Sequence, residues 1–195
     1  MGRFRNLASP LLRLRRDTAG SSLLEFAITL PLLVVFIVGI YDFSGAFNQK
    51  QKMEHAAQAG AIVAGAQPTS DIETTNADPQ SLHPVVAVIF NSLAANGVLP
   101  NANQGTCTAI NAIPTQTGPL QWTYAIQGCP DNVDIVINRG WVPAVTDSTK
   151  SVGTLLTVIY PYHWRFNSVI QLLFPGASYS ATTFLSQTAK VHNQL

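Results

Sequence analysis

The chain has 195 residues, of which 47% are hydrophobic and only 11% are charged. Typical soluble domains carry about 25% charged residues, so this composition argues against an ordinary soluble domain and indicates a membrane or envelope protein. The length allows one domain of ordinary size together with a membrane anchor.

The first 20 residues form a basic segment. They hold five arginines against one aspartate, a charge of +4, whereas the rest of the chain holds six Lys and Arg against nine Asp and Glu, a charge of −3. Because the arginines directly precede an apolar run, they indicate a cytoplasmic leader rather than nucleic-acid binding. Everything after the run is then expected outside the cytoplasm.

Residues 21–43 are predicted as a transmembrane helix. From Ser21 to Tyr41, Glu25 is the only side chain that is charged at neutral pH, and this run reaches the roughly 20 residues that a bilayer requires. Pro31 lacks a backbone N–H and is expected to kink the helix. A cleaved secretory signal is the competing interpretation, although its apolar core is usually only about 7 to 15 residues.

Residues 44–66 are predicted to continue this helix as a protruding amphipathic segment, because no proline interrupts them before Pro68. A helix from Ser21 to Ala66 would be about 69 Å long, so its second half must stand in water. Mostly small residues repeat along one helical face: Ala46, Met53, Ala57, Gly60 and Ala64. We expect most of this face to pack on the chain's own domain.

Residues 67–195 are predicted as an α+β domain, because helices precede antiparallel strands along the chain. A short helix is expected over 84–96, between polar loops over 67–83 and 99–119; the apolar run 85–90 could instead be a buried strand. The predicted strands cover 121–126, 133–138, 153–164 and 177–191, with a turn over 127–132 and a short helical crossing over 166–174. Pro161 argues for an edge strand or a bulge.

The two cysteines, Cys107 and Cys129, both fall in the part of the chain that is expected outside the cytoplasm. An oxidising envelope compartment favours a disulfide between them, and two unpaired buried thiols are the alternative. Zinc is not expected, because neither cysteine has a second Cys or a His at ligand spacing.

No arrangement in the sequence indicates catalysis, a metal site or a cofactor. The histidines lie far apart on different predicted elements: His55, His83, His163 and His192. Three aspartates lie near turns, where this residue usually caps or solvates the backbone: Asp131, Asp134 and Asp147. The aromatic run 160–164 is expected to fill a core by alternating across a strand, and an aromatic binding patch is the alternative.

Gly20 and Glu25 carry the strongest functional signal. A glycine lets a protease bring its catalytic groups close to the backbone, and cleavage after Gly20 would leave a charged amino group on Ser21, about one turn from Glu25. In a bundle of such helices, each Glu25 could pair with a neighbour's amino group, which offsets the desolvation of both charges. Alternatively, Glu25 only stabilises the N-terminus of its own helix.

These residues resemble the opening of TadE-like pseudopilins over 15–66. The resemblance rests on Arg15-Arg16, on Gly20 followed by Glu25-Phe26 and Pro31, and on the alanine-rich stretch 56–61. It implies a minor pilin-like subunit of the tight-adherence (Flp) pilus apparatus in the bacterial inner membrane. It also implies cleavage between Gly20 and Ser21 by a prepilin peptidase, and a role for Glu25 and Phe26 in processing and assembly. The implied partners are that peptidase, other pilin-like subunits, the inner-membrane pilus platform and the lipid bilayer.

Two departures from this resemblance matter. Ser21 stands where standard type IV pilins commonly have phenylalanine, which argues against methylation there. The globular part is much larger than that of the short major pilin, so the chain is not expected to be the bulk fibre subunit. The leading alternative is an uncleaved, signal-anchored envelope protein that acts as a binding module, and an envelope enzyme is the third possibility.

Overall fold

The structure is a computed structural model that describes residues 18–142, 152–166, 171, 176 and 182–193. Its two α-helices are α1 (Thr18–Ala66) and α2 (His83–Ala95), and short 3-10 helices cover Gln80–Leu82 and Ala109–Asn111. The strands are β1 (Ile113–Gly118), β2 (Gln121–Cys129), β3 (Asp131–Trp141), β4 (Gly153–His163) and β5 (Thr182–His192). The chain forms two compact units, and a boundary between them lies within α1: the first unit includes the helix up to Asp42, and the second begins at Phe43.

The five strands form one antiparallel sheet in the order β1-β2-β3-β4-β5. Each strand therefore pairs with its neighbour in sequence, as short antiparallel connections favour. The long apolar helix packs against this sheet, which confirms the predicted α+β class. The longest ladder joins β4 and β5 and runs without a register shift from Gly153 opposite His192 to His163 opposite Thr182.

The second half of α1, helix α2 and one face of the sheet share a hydrophobic core. All five residues of the predicted helix face, Ala46 to Ala64, are buried. The face is built of small residues because neighbouring elements come very close to it. A Cβ atom on Gly60 would lie 2.4 Å from Ile89 Cγ1 on α2, and one on Gly65 would lie 2.9 Å from Val191 Cγ2 on β5.

Several predicted boundaries differ from the structure. Strand β1 and the second 3-10 helix lie inside the predicted loop 99–119, and the predicted turn 127–132 is mostly taken up by the ends of β2 and β3. The apolar run 85–90 is helical, so the strand alternative was wrong. Strand β4 is not an edge strand: Pro161 pairs with Phe184 on β5, while the β3 ladder ends at Ile159. The missing N–H of a proline is tolerated there because one side of the strand has no ladder partner.

Some predictions fall outside the described residues. These are the leader up to residue 17, Asp147, most of the helical crossing 166–174, and positions 177–181 of the last predicted strand. Phe166 and residue 171 are the only positions of that crossing that the structure describes, and both are helical.

Cys107 and Cys129 form a disulfide in the structure, with Cα atoms 5.0 Å apart and a sequence separation of 22. The bridge ties the loop before β1 to the end of β2. We expect thiol labelling of the unreduced, denatured protein to detect neither cysteine. The Cys107→Ala/Cys129→Ala variant should lose about 3 kcal/mol of unfolding free energy, because its unfolded chain is no longer constrained. Labelling of both thiols without a reductant would contradict the bridge.

Tyr160 gives the domain a predictable sensitivity to alkaline pH. Its side chain is buried and its hydroxyl donates a hydrogen bond to the backbone oxygen of Cys129. Burial raises the pKa of the Tyr160 phenol to about 12, whereas a tyrosine in an unfolded chain titrates near about 10. The stabilisation is therefore fully present below pH 10, and it is lost as the pH rises from about 10 through about 12.

We expect Tyr160 to account for about 1 kcal/mol of stability lost between pH 8 and pH 11. Urea unfolding at the two pH values measures this loss. Tyr160→Phe should be less stable than the native chain at pH 8, by about 1 kcal/mol for the missing hydrogen bond, but should lose less on going to pH 11. Equal alkaline losses in the native chain and in Tyr160→Phe would contradict the assignment.

Candidate functional site

The first part of α1 exposes an apolar surface on all sides. Every side chain from Ser21 to Leu30 is exposed, including Leu24 at 64% and Phe26 at 63%. A helix that is apolar all round and unburied fits a lipid environment. This helix is long and apolar enough to cross a membrane, by length and composition, and lies near the N-terminus. Among the described residues this is the one candidate span, consistent with a single-pass membrane protein.

Glu25 is the one carboxylate on this apolar surface. Its side chain is exposed, and Oε1 accepts a 3.3 Å hydrogen bond from the Ser21 hydroxyl, one turn earlier. The Thr29 hydroxyl donates to the Glu25 backbone oxygen at 2.7 Å. Among the described residues, the Glu25 carboxylate thus accepts only this long bond from a neutral hydroxyl.

The bond between Gly20 and Ser21 lies near the start of the described part of α1, Thr18–Ala66. Glycine lowers local helix stability by about 1 kcal/mol relative to alanine. A Cβ atom on Gly20 would meet nothing within 4 Å among the described residues. The glycine is therefore not required for packing against them, and it eases local opening into the extended form that a protease needs.

Two further residues mark the span. Pro31 lies inside α1, which continues unbroken past it to Ala66; the kink expected there stays a prediction. Asp42 is 2% exposed, and its Oδ2 accepts a 2.8 Å hydrogen bond from the Phe166 backbone N–H. The Phe166 N–H explains how a charged residue can stand directly after the apolar run. The sequence pattern did not predict this hydrogen bond.

The aromatic run 160–164 divides between the core and the surface. Tyr160 points into the core, whereas the Tyr162 and Trp164 rings meet edge to face, with centroids 5.1 Å apart. Trp164 makes a second such contact with Phe43, at 5.2 Å. Tyr160 therefore fits the core interpretation, whereas the binding-patch interpretation of Tyr162 and Trp164 stays a prediction.

A chain of side-chain contacts ties three strands together at one end of the sheet. His163 Nε2 lies 2.7 Å from Asp131 Oδ2, and His163 Nδ1 lies 3.2 Å from the Thr182 hydroxyl. The three residues stand at the ends of β4, β3 and β5 and are surface-accessible, so the contacts pin exposed strand termini. The order hydroxyl, imidazole, carboxylate resembles a catalytic triad in outline. Among the described residues, nothing encloses the Thr182 hydroxyl in the way that activates such a nucleophile.

The remaining singled-out residues do not converge. His83 Nε2 lies 2.8 Å from Asp78 Oδ1, and Tyr124 donates to the same oxygen at 3.4 Å, which fixes the loop before α2. His55 is exposed on α1. Within the described residues, no three His, Cys, Asp or Glu side chains are grouped so as to hold a metal ion.

Arg139 is the most important residue that the sequence did not reveal. It is 2% exposed, and its guanidinium donates to the backbone oxygens of Ala64, Gln67 and Pro68 and to the Thr154 hydroxyl. These bonds satisfy carbonyl groups at and just beyond the C-terminal end of α1, where the helix dipole favours a cation. Burial lowers the pKa of Arg139, and the nearby Asp71 charge opposes this shift.

Comparison with known proteins gives one match. Residues 20–61 match the family described as TadE-like protein, so the match covers Gly20, Glu25, Phe26 and Pro31 together with most of α1. No curated protein and no solved structure matches the chain significantly. The resemblance seen in the sequence is confirmed over this segment. Residues 20–61 are therefore similar to the TadE-like family.

Proposed function

We propose that the chain is a minor pilin-like (pseudopilin) subunit for assembly of a tight-adherence (Flp), type IV-like pilus. The observation that carries this proposal is the TadE-like segment, which begins at Gly20 and places a single carboxylate, Glu25, on the exposed apolar part of α1. An ordinary membrane anchor has no use for this carboxylate, because a charge deep in lipid costs about 2.5 kcal/mol or more.

The proposed first step is hydrolysis of the bond between Gly20 and Ser21 by a prepilin peptidase. Water adds across this amide: the leader leaves with a carboxylate on Gly20, and the mature chain begins with a protonated amine on Ser21. The glycine before the bond supports this step, because it weakens the helix locally and lets the peptidase approach the backbone. The basic leader favours a cytoplasmic location for the cut bond and a periplasmic location for the C-terminal domain.

The proposed second step is assembly through Glu25. The new Ser21 amine stands four residues before Glu25, where the Ser21 hydroxyl already contacts the Glu25 carboxylate. When mature helices pack side by side, the amine of one subunit can pair with Glu25 of the next, which removes two unpaired charges from lipid at once. The remaining partners in this proposal are other pilin-like subunits and the inner-membrane platform. The chain itself has no catalytic role in it.

The mass of the membrane-extracted protein tests the proposal, measured from cells with and without the candidate prepilin peptidase. We expect residues 1–20 to be lost only when the peptidase is present. Gly20→Val should block this loss, because a branched side chain would obstruct the approach to the backbone. Gly39→Val is the matched control, since an added Cβ meets nothing within 4 Å at either glycine of the same helix.

An intact N-terminus in both samples would contradict processing. It would favour the uncleaved, signal-anchored envelope protein, whose binding function would then reside in the C-terminal domain.

A further inference from the structure

The second compact unit carries an open apolar groove on its surface. The groove holds about 480 Å³ and is lined mainly by Phe43, Phe47, Trp164 and Leu185, with Lys50 at one side. Phe43 is 67% exposed and Phe47 is 62% exposed. Exposed aromatic side chains that adjoin one another mark a binding surface rather than the ordinary scatter of apolar residues. These five residues are called the aromatic groove below.

The aromatic groove is held in a fixed shape. Phe43, Phe47 and Lys50 follow one another at four- and three-residue spacing, so they share one face of α1. The Trp164 ring packs edge to face against Phe43 and Tyr162, and its Nε1 donates a 2.7 Å hydrogen bond to the Thr183 hydroxyl. Because the tryptophan is fixed on two sides and by its polar atom, little ordering is needed when a ligand enters.

The position of the aromatic groove along α1 indicates what it meets. A hydrocarbon layer about 30 Å thick takes about 20 helical residues. Counted from Ser21, the layer ends near Tyr41; counted from Glu25, it ends near Gly45. On either count the next turns of the helix cross the headgroup layer, which is roughly 5 to 8 Å thick on each side. Counted from Ser21, Phe43 lies in this layer and Phe47 lies at its outer edge; counted from Glu25, Phe47 lies in the layer and Phe43 in the last turn of the hydrocarbon.

The chemistry of the groove matches this layer. Aromatic rings concentrate at the membrane interface, where an apolar body and a polar edge are both satisfied. Lys50 is the first Lys or Arg after the leader, and its long side chain can reach back toward a phosphate while its stem lies along the rings. A groove of this volume has the size of a small-ligand site, whereas a stable protein partner needs about 20 to 30 residues on each side.

We propose that the aromatic groove binds a membrane phospholipid, with acyl-chain carbons among the rings of Phe43, Phe47 and Trp164 and the phosphate beside the Lys50 ammonium. This inference rests on the proposed insertion of α1 in the membrane. The bound lipid would hold the C-terminal domain at the membrane surface until the subunit leaves the bilayer.

Photo-crosslinking of the full chain tests this inference. The photoreactive p-benzoylphenylalanine replaces Phe47, and the purified chain is reconstituted in vesicles of phosphatidylethanolamine and phosphatidylglycerol. We expect irradiation to add the mass of one phospholipid at position 47. Ile62 gives the matched control: it is apolar, 72% exposed and on the same helix, but about 22 Å farther along. The same replacement at Ile62 should give no lipid adduct.

Lys50→Gln in the Phe47-labelled chain should lower the share of phosphatidylglycerol among the adducts at least about threefold. The headgroup of phosphatidylglycerol has a net negative charge that Lys50 attracts, whereas the headgroup of phosphatidylethanolamine has no net charge. A dimer band from position 47 would overturn the inference, since it would make the groove an interface between subunits. Equal lipid adducts at positions 47 and 62 would overturn it as well.

Carbonate extraction of the same vesicles separates this inference from the proposed function. A chain that resists extraction but gives no adduct at position 47 contradicts the lipid groove alone. A chain that carbonate removes contradicts membrane insertion, and with it both proposals.

Discussion

Replacing Glu25 with alanine should leave the protein in the membrane and reduce piliation at least about tenfold. Removing the carboxylate leaves the Ser21 amine of each mature subunit without a partner in lipid. Breaking such a pair costs about 3 kcal/mol, which corresponds to roughly a hundredfold weaker association for each contact. Pili counted by electron microscopy, together with surface adhesion, measure the effect. Carbonate-resistant membrane association shows that insertion itself is unchanged.

Two further variants identify the cause of the Glu25 effect. Glu25→Gln keeps the shape of the side chain and removes its charge, so it should behave like Glu25→Ala if pairing with an amine matters. Ser21→Ala removes the hydroxyl that contacts Glu25 but keeps the amine, so piliation should stay close to normal.

Glu54→Ala is the matched control for Glu25. Glu54 is exposed on the same helix and accepts a comparable hydrogen bond, at 3.4 Å, from Gln58 one turn later. Since Glu54 lies in the half of α1 that packs on the sheet domain, its loss should leave piliation unchanged. Normal piliation in the Glu25→Ala strain would show that the carboxylate has no part in assembly.

The helical part of the fold could be predicted because local sequence determines it. An apolar run without charges, followed by a repeating face of small residues up to Pro68, specifies a helix that is exposed first and buried afterwards. Pro84 and Gly97 delimit α2 in the same way: the structure has a proline in its first turn and a left-handed Gly97, φ +67°, just after its end. These signals need no knowledge of the rest of the molecule.

Other features depend on contacts that no local pattern specifies. Strand β1 contains a proline, two threonines and a glutamine, and its side chains are exposed or half-buried throughout, so it shows no apolar face. The Asp42 partner comes from residue 166, far away in sequence. Trp164 belongs to the aromatic groove only because β4 ends beside Phe43. Each of these features depends on segments that are distant in sequence and come together only in the folded chain.

Arg139 shows the same limit most clearly, because its own strand does not contain the partners that a buried arginine needs. On β3 it continues the inward alternation of Val133, Ile135 and Ile137, and a charged side chain at such a position is stable only with partners. Those partners are carbonyl groups at and after the end of α1, more than 70 residues earlier in the chain.

Replacing Arg139 with methionine should lower the free energy of unfolding by about 3 kcal/mol. Methionine fills much of the same volume but donates no hydrogen bond, so the Gln67 oxygen loses its guanidinium donor and the buried Ala64 oxygen keeps only the Gln67 N–H. Each unsatisfied buried group costs about 1 to 3 kcal/mol, and loss of the cation at the helix C-terminus costs up to about 1 kcal/mol more. Relief of the buried charge returns part of this cost, and so the sum stays near 3 kcal/mol.

Arg139→Lys should fall between the native chain and Arg139→Met, because an ammonium keeps the charge but cannot reproduce the planar fork of donors. Urea unfolding of the full chain in detergent micelles, followed by tryptophan fluorescence, measures all three proteins. Lys190→Met is the control: this exposed cation lies 5.1 Å from the centre of the Trp141 ring, and its loss should cost less than about 1 kcal/mol. If Arg139→Met is as stable as the native chain, the free-energy cost of desolvating the guanidinium is as large as the free energy gained from its hydrogen bonds. Arg139 would then fix where α1 ends without adding to the stability of the domain.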